Sequence, residues 1–439
     1  MLIFIRNTPR NYAWGSRDAL PELLGTAPTG EPQAELWLGA HPGSPASVAK
    51  ATPVAHTLID LIASDPDRYG VDGDRLPFLL KVLAIGAPLS LQVHPDAAQA
   101  AAGFAAEEAA GIPLDARERN YGDPGHKPEL LVALGEVSAL SGFRPLAAAR
   151  DDYRALAAAA GGSGTAAGRA LAGLAEHCTA VGEGDPAAES ARRRSAFLAW
   201  AFSGAPEVDS AGQALADVVR GSSASIEGID AHRLAALRGL VAAHAGDPGV
   251  LVSVLLHLVR LAPGEAIYLG AGQLHAYLNG IAVEVMAASD NVLRAGLTQK
   301  HVDIAELTRI VDLGELDEPR CVAGNPAPGV RSWEPDIPDF RLMRVRLREP
   351  EEPGLPVGDA TDRAVIEAPF PLVLIATEGR ARVERPEADL AEVANLRRGQ
   401  SLYVSAGDPI ELTGTGEVFL ATVGRGWAGR GASVSQTLK

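Results

Sequence analysis

The sequence predicts a mainly β protein interrupted by one helical insertion, and three observations carry that prediction. Short apolar runs broken by Gly and Pro recur from Leu2 to about Pro145. From Leu146 to about Gly246 the texture changes to long Ala/Leu/Arg/Glu stretches, and strand texture resumes near Leu258. Two nine-residue stretches, GEAIYLGAG at 264–272 and GQSLYVSAG at 399–407, also share four identical positions and conservative apolar ones, which predicts the same strand and turn in two related β-regions.

Taken in order, MLIFIR at the N-terminus reads as a strand, because five apolar residues before Arg6 are too few for a signal-peptide core. LPFLLKVLAI (76–85), PLSLQVHP (88–95) and PELLVAL (128–134) are closely spaced strand signals. Between them the Ala-rich stretch 96–108 ends before Gly111 and predicts one short helix. RPLAAARDDYRALAAAAGG and AHRLAALRGLVAAHAG have helical periodicity and few β-branched residues, so the insertion is helical, with a looped part around Gly182–Asp185. The expected division is 1–145 and 251–330 for a first β-domain, 146–250 for the insertion within it, and 331–439 for a second β-domain. The most apolar later stretch, Gly249–Ala262, contains His257 and Arg260 and is shorter than a membrane span.

With 439 residues, 47% of them apolar, the chain can bury a large core. A formal charge of -16 argues against a general nucleic-acid or anionic-membrane binder, since both need a positive field. A phosphorylated small substrate stays possible, because one or two local cations hold it. Cys178 and Cys321 are far apart and in no CxxC pattern, so neither a disulfide framework nor a thiolate zinc site is expected, and a reducing cytoplasm fits. Of 39 cationic residues only Lys50, Lys81, Lys127, Lys300 and Lys439 are lysines; three of the five fall in motif-rich stretches, where a compact ammonium does what a planar guanidinium does not.

Gln92 and His94 are two apart, and on a strand that spacing puts both on one face. Lys127 and Glu129 share a face by the same rule, with Pro128 marking a strand start or edge. Taken alone, Glu129 is either exposed by alternation or buried with a partner, and His275, in GQLHAYLNG, is either structural or a ligand. Together, two His, one Glu and one Gln supply N and O donors suited to a borderline divalent ion such as zinc. Arg294 and Lys300 lie in SDNVLRAGLTQKH, where Asp290 could cap a turn. Eleven residues after its first Gly, one copy of the repeat has His275 and the other has Ile410, so the metal site is expected to be single.

The motifs NYAWGS (11–16), AELWLGAHP (34–42), LPFLLKVLAIGAPLSLQVHPD (76–96), HKPELLVAL (126–134), LSGFRP (140–145) and LHAYLNGIAVEVMAASDNVLRAGLTQKHVDI (274–304) resemble, in this order, those of type I mannose-6-phosphate isomerases. The resemblance is close over 1–145 and 250–310. It implies two cupin-type jelly rolls plus an α-helical domain, and a single zinc ion, replaceable by other divalent metals, on Gln92, His94, Glu129 and His275. It also implies Arg294 as the catalytic cation, with ring opening and proton transfer among His126, Lys127 and Asp290. Phosphate contacts fall on Ser90, Lys81 and Lys300, and Trp14 lies in the pocket-lining motif. Glu284 is a further residue for the substrate, as an alternative proton carrier. The expected chemistry is interconversion of mannose 6-phosphate and fructose 6-phosphate through an enediolate, by a cytoplasmic monomer with no nucleic-acid or membrane partner. A cupin oxygenase and a non-catalytic sugar-phosphate-binding cupin are the alternatives. Gly270–Leu274 departs from the family's proline-containing approach to the His.

Overall fold

The computed structural model describes residues 1–52, 55–71, 75–179, 186–222, 225–349, 359–386 and 392–427. The expected loop around Gly182–Asp185 lies outside the described residues. Antiparallel sheets and helices share the chain, so the architecture is mixed rather than mainly β. Besides the insertion, unexpected helices occur at Ala19–Leu24, Leu58–Ser64, Pro66–Tyr69 and Ile304–Ile310. Ala97–Ala109 is the helix expected at 96–108. Asp96 and Gln99 form a capping box in which each side chain accepts from the other's backbone N–H, at 2.7 and 2.9 Å.

Among the described residues the strands form an eleven-stranded and a ten-stranded sheet. The eleven-stranded sheet takes strands from both ends of the chain. Leu2–Arg6 runs antiparallel to Ser401–Val404, with Leu2 opposite Val404 and Ile5 opposite Ser401. The ten-stranded sheet is built from strands between Glu35 and Cys321, and it carries the chemistry-bearing motifs. An apolar cluster including Ile5, Val82, Val132, Val283, Trp333, Ile375 and Phe419 fills the space between the two sheets.

Six helices, Leu146–Ala159, Ala166–His177, Pro186–Ala201, Pro206–Gly221, Ala231–Ala243 and Gly249–Ser253, make up the insertion among the described residues. Leu156, Leu171, Leu198, Leu215 and Leu237 join one buried cluster with Leu140, Phe143, Leu274 and Ala276 of the sheet. Each fully buried leucine contributes roughly 2 kcal/mol of transfer free energy, which holds the insertion against the sheet. Within the insertion, Tyr153 ties the first helix to the last by donating its hydroxyl to Leu251 O at 2.6 Å. No helix among the described residues is long and apolar enough to cross a membrane.

The two copies of the repeat lie in different sheets. Ala266–Leu269 and Ser401–Val404 each begin two residues after a glycine in the left-handed region, Gly264 at φ 85° and Gly399 at φ 81°. Each is followed by a long strand, His275–Ala287 in one sheet and Gly407–Thr422 in the other. The phrase therefore marks one turn–strand–strand unit used twice.

Candidate metal centre

Register brings the expected donors together. His275 opens the strand His275–Ala287 and lies opposite Gln92, which in turn lies opposite Arg294. Further along the same strand, Met286 lies opposite Glu129 and Glu284 opposite Lys81. Gln92, Glu129 and His275 on neighbouring strands, and His94 just after Gln92–Val93, are thereby brought together. One donor atom each from His94, Glu129 and His275 lies within 4.8 Å of the others, and all three residues are buried. His94 Nε2 is 3.4 Å from Glu129 Oε1, and His275 Nε2 is 3.6 Å from Glu129 Oε2. The Gln92 amide reaches His275 Nε2 at 3.3 Å, and turning it by half a rotation presents Oε1 to the same point.

Both imidazoles are fixed from behind. His94 Nδ1 donates to Asn291 O and His275 Nδ1 donates to Gln273 O, each at 2.8 Å, which leaves both Nε2 lone pairs facing Glu129. Burial and the Lys127 charge hold His94 down at about 4, so its imidazole is neutral near pH 7. Burial opposes the charge on Glu129, yet the Lys127 ammonium beside it outweighs that and keeps the carboxyl well below its ordinary range. His94 Nε2 has no hydrogen-bond partner in a fully buried position. A neutral imidazole lone pair facing a carboxylate is an uncompensated arrangement without a cation between them. The donor chemistry fits a divalent ion of the zinc type.

Above these groups opens a cleft of about 550 Å³ lined by Trp14, Ser90, Lys127, Arg294 and Lys300, among others. Lys127 Nζ lies 2.7 Å from Glu129 Oε1. Lys81 contacts Glu284 at 3.4 Å and Glu35 at 3.7 Å; burial works against its charge, but the two carboxylates hold it above its usual value. Glu284, pushed up to about 7 by burial and by Glu129, accepts the Tyr277 hydroxyl at 2.9 Å. Arg294 and Lys300 have no ion pair among the described residues, and the charge of Arg294 lowers the Lys300 ammonium. Between them the chain turns through Gly296 at φ 105° and Leu297 at φ 53°, the latter a left-handed leucine costing about 1–2 kcal/mol.

Not every expected residue faces the cleft equally. Asp290 reaches it from an exposed position, 3.6 Å from the His41 ring. His126 does not line it: its Nε2 contacts Asp339 at 2.9 Å. Sequence reasoning missed Tyr277, Glu35 and Asn291. Tyr277 follows His275 by two on one strand, so the spacing rule that paired Gln92 with His94 selects it too. Glu35 has no such signal, because only the cross-strand neighbour Lys81 explains it. In the departing loop Gly270–Leu274, Gly272 at φ 76° donates its N–H to His94 O at 2.8 Å, and Gln273 Nε2 donates to Ser141 Oγ at 2.7 Å.

Comparison with known proteins agrees with this geometry. Residues 2–146 match the family described as phosphomannose isomerase type I, catalytic domain. The mannose-6-phosphate isomerase of Salmonella typhimurium is 36% identical over 431 residues, covering 94% of this chain and 97% of its own length. Mannose-6-phosphate isomerase 1 of Arabidopsis thaliana is 30% identical over 439 residues, covering 96% and 93%. A crystal structure of mannose 6-phosphate isomerase bound with zinc and yttrium superposes with a TM-score of 0.78 at 32% identity, covering 96% of this chain and 99% of that one. The chain belongs to the type I mannose-6-phosphate isomerase family.

Proposed function

We propose that the chain interconverts mannose 6-phosphate and fructose 6-phosphate with one zinc ion held by Gln92, His94, Glu129 and His275. The observation that carries this reading is the unpartnered, fully buried His94 Nε2 facing Glu129 at the floor of a cleft rimmed by Arg294 and Lys300. The sheets and insertion correspond in this reading to two cupin-type jelly rolls and a helical domain, divided near 145, 250 and 330.

The reaction moves a proton between C1 and C2 and shifts the carbonyl through an enediolate. Zinc, when bound, supplies positive charge that stabilises the oxygen as it becomes negative. Arg294, half-buried at the cleft wall, adds a fixed guanidinium to the same task. Lys127 orients Glu129 and places an ammonium beside the reacting edge. Of the proton carriers, Glu284 has the matching acidity, because a carboxyl near 7 both takes and returns a proton at neutral pH. Tyr277 orients it, and Lys81, committed to Glu284 and Glu35, positions it. Lys81 therefore moves from the phosphate role to this one, since a phosphate at its ammonium would meet two carboxylates. Lys300 holds the phosphate near Ser90, where a dianion relieves the repulsion that the Arg294 charge exerts on its ammonium. His126, facing Asp339, orders the loop before Lys127 and leaves ring opening to Asp290.

Purified protein with zinc, offered mannose 6-phosphate, is expected to form fructose 6-phosphate, and Glu129→Ala is expected to lose both metal and turnover. Isomerisation by Glu129→Ala after exhaustive chelation would overturn the assignment.

A further inference from the structure

Behind the metal centre, one side chain holds an unusual number of hydrogen bonds. Asn291 is fully buried. Its Nδ2 donates to Asp123 O at 2.6 Å and Gly125 O at 2.8 Å, while its Oδ1 accepts from Gly122 N at 2.8 Å and Asp123 N at 3.3 Å. The amide is saturated on both ends, and all four partners lie in one short loop. The backbone of the same residue does a second job, because Asn291 O accepts the Nδ1 proton of His94 at 2.8 Å. Ser289 fastens the clip by accepting from Asn291 N at 3.2 Å, with its single hydroxyl proton shared between Asp123 Oδ2 at 3.1 Å and Gly125 O at 3.0 Å.

The loop that Asn291 grips leads straight into His126, Lys127, Pro128 and Glu129. One amide thus couples the carbonyl that selects the His94 tautomer to the segment that carries Glu129 and Lys127. We infer that Asn291 is a positioning residue for the metal centre, setting the distance between His94 Nε2 and Glu129 by locking loop 122–125 to the His94 carbonyl acceptor. The inference rests on the zinc reading above and adds to it a residue that touches neither metal nor substrate.

Only an amide satisfies this position. A carboxylate in its place would face the carbonyls of Asp123 and Gly125 with lone pairs, and alanine would take away the partner of the Gly122 and Asp123 N–H groups and of the Asp123 carbonyl, leaving Ser289 alone to hold the loop. A merely structural role would lower stability and leave the affinity of the remaining folded protein for zinc unchanged. A positioning role lowers the affinity itself, because the Asn291 carbonyl behind His94 stays but is no longer tied to the Glu129 segment; about 10–100-fold is the range for disturbing outer-shell contacts.

The test is a zinc titration with a competing chromophoric chelator on metal-stripped, folded protein. It compares the unaltered chain with Asn291→Ala, Asn291→Asp and Tyr403→Phe. The last removes a buried hydroxyl bond to Tyr69 O in the other sheet and serves as the control for stability alone. Asn291→Ala and Asn291→Asp are expected to raise the zinc Kd about 10–100-fold, with Tyr403→Phe unchanged even where its Tm falls as far. Equal Kd in all four proteins would overturn the inference while leaving the metal centre in place. Absence of zinc binding in the unaltered chain would overturn the functional reading and this inference with it.

Discussion

The two copies of the repeated unit share a backbone plan and differ in what they bury. In the ten-stranded sheet, the long strand after the repeat puts His275, Tyr277 and Glu284 into the interior beside Glu129 and Lys81. In the eleven-stranded sheet the equivalent strand puts Ile410 and Leu412 into an apolar cluster with Val383, Leu396, Leu402 and Leu420. His275 and Ile410 are both fully buried. The backbone plan thus tolerates either a polar or an apolar interior, and the side chains at two strand positions decide whether a sheet is a scaffold or a site. The polar interior is sustained by mutual compensation: each buried charge there has an opposite charge or a donor within 4 Å, as Lys81, Glu129 and Glu284 show.

That difference makes mutations in the two sheets behave differently. The largest effect is expected at Glu129→Ala, which removes a carboxylate shared by His94, His275 and Lys127. It should abolish zinc retention and lower kcat/KM by more than about 10³-fold, read by coupled fructose 6-phosphate detection. Tyr277→Phe should leave zinc bound yet reduce kcat by about 10-fold or more, because Glu284 loses its hydroxyl donor. Its pH–rate profile should also move upward, since a carboxylate with fewer donors holds its proton to higher pH; an unmoved profile would remove Glu284 from the proton-transfer role. Ile410→His should create no second metal site. It should instead cost about 2–3 kcal/mol in urea denaturation, the penalty for an imidazole without partners in an apolar cluster.

The smallest effect concerns the contact between the His126 loop and Asp339, which precedes the strand Arg341–Leu347 of the eleven-stranded sheet. The Asp339 hydrogen bond outweighs burial and raises His126 above its ordinary value of 6.5. A raised folded value means the contribution is complete below the unfolded value and disappears as pH rises through the folded one. Asp339→Asn should therefore destabilise by about 1 kcal/mol near pH 6 and by less above pH 8, compared through urea midpoints. A penalty that grows with pH would contradict the pairing.

Local pattern made much of this molecule legible in the sequence. The strands around Lys81, Gln92 and Glu129, the helix at Ala97–Ala109 and the insertion all follow from period, capping and composition. Spacing alone paired Gln92 with His94 and, unused, pointed to Tyr277. What stayed hidden was long-range. Nothing in the N-terminal strand shows that Leu2 will sit opposite Val404, and nothing in Glu35 or Asn291 shows that Lys81 and His94 depend on them. Such relations are fixed by register across sheets, where the partner lies tens or hundreds of residues away. The two carboxylates around Lys81 are hidden for the same reason, since they come beside it only when three strands lie side by side.

A single metal centre in one of the two related units sets the zinc content of the purified chain, which mass spectrometry measures. One zinc per chain, falling to near zero in Glu129→Ala, is the predicted result. Two per chain, or one that survives Glu129→Ala unchanged, would contradict it.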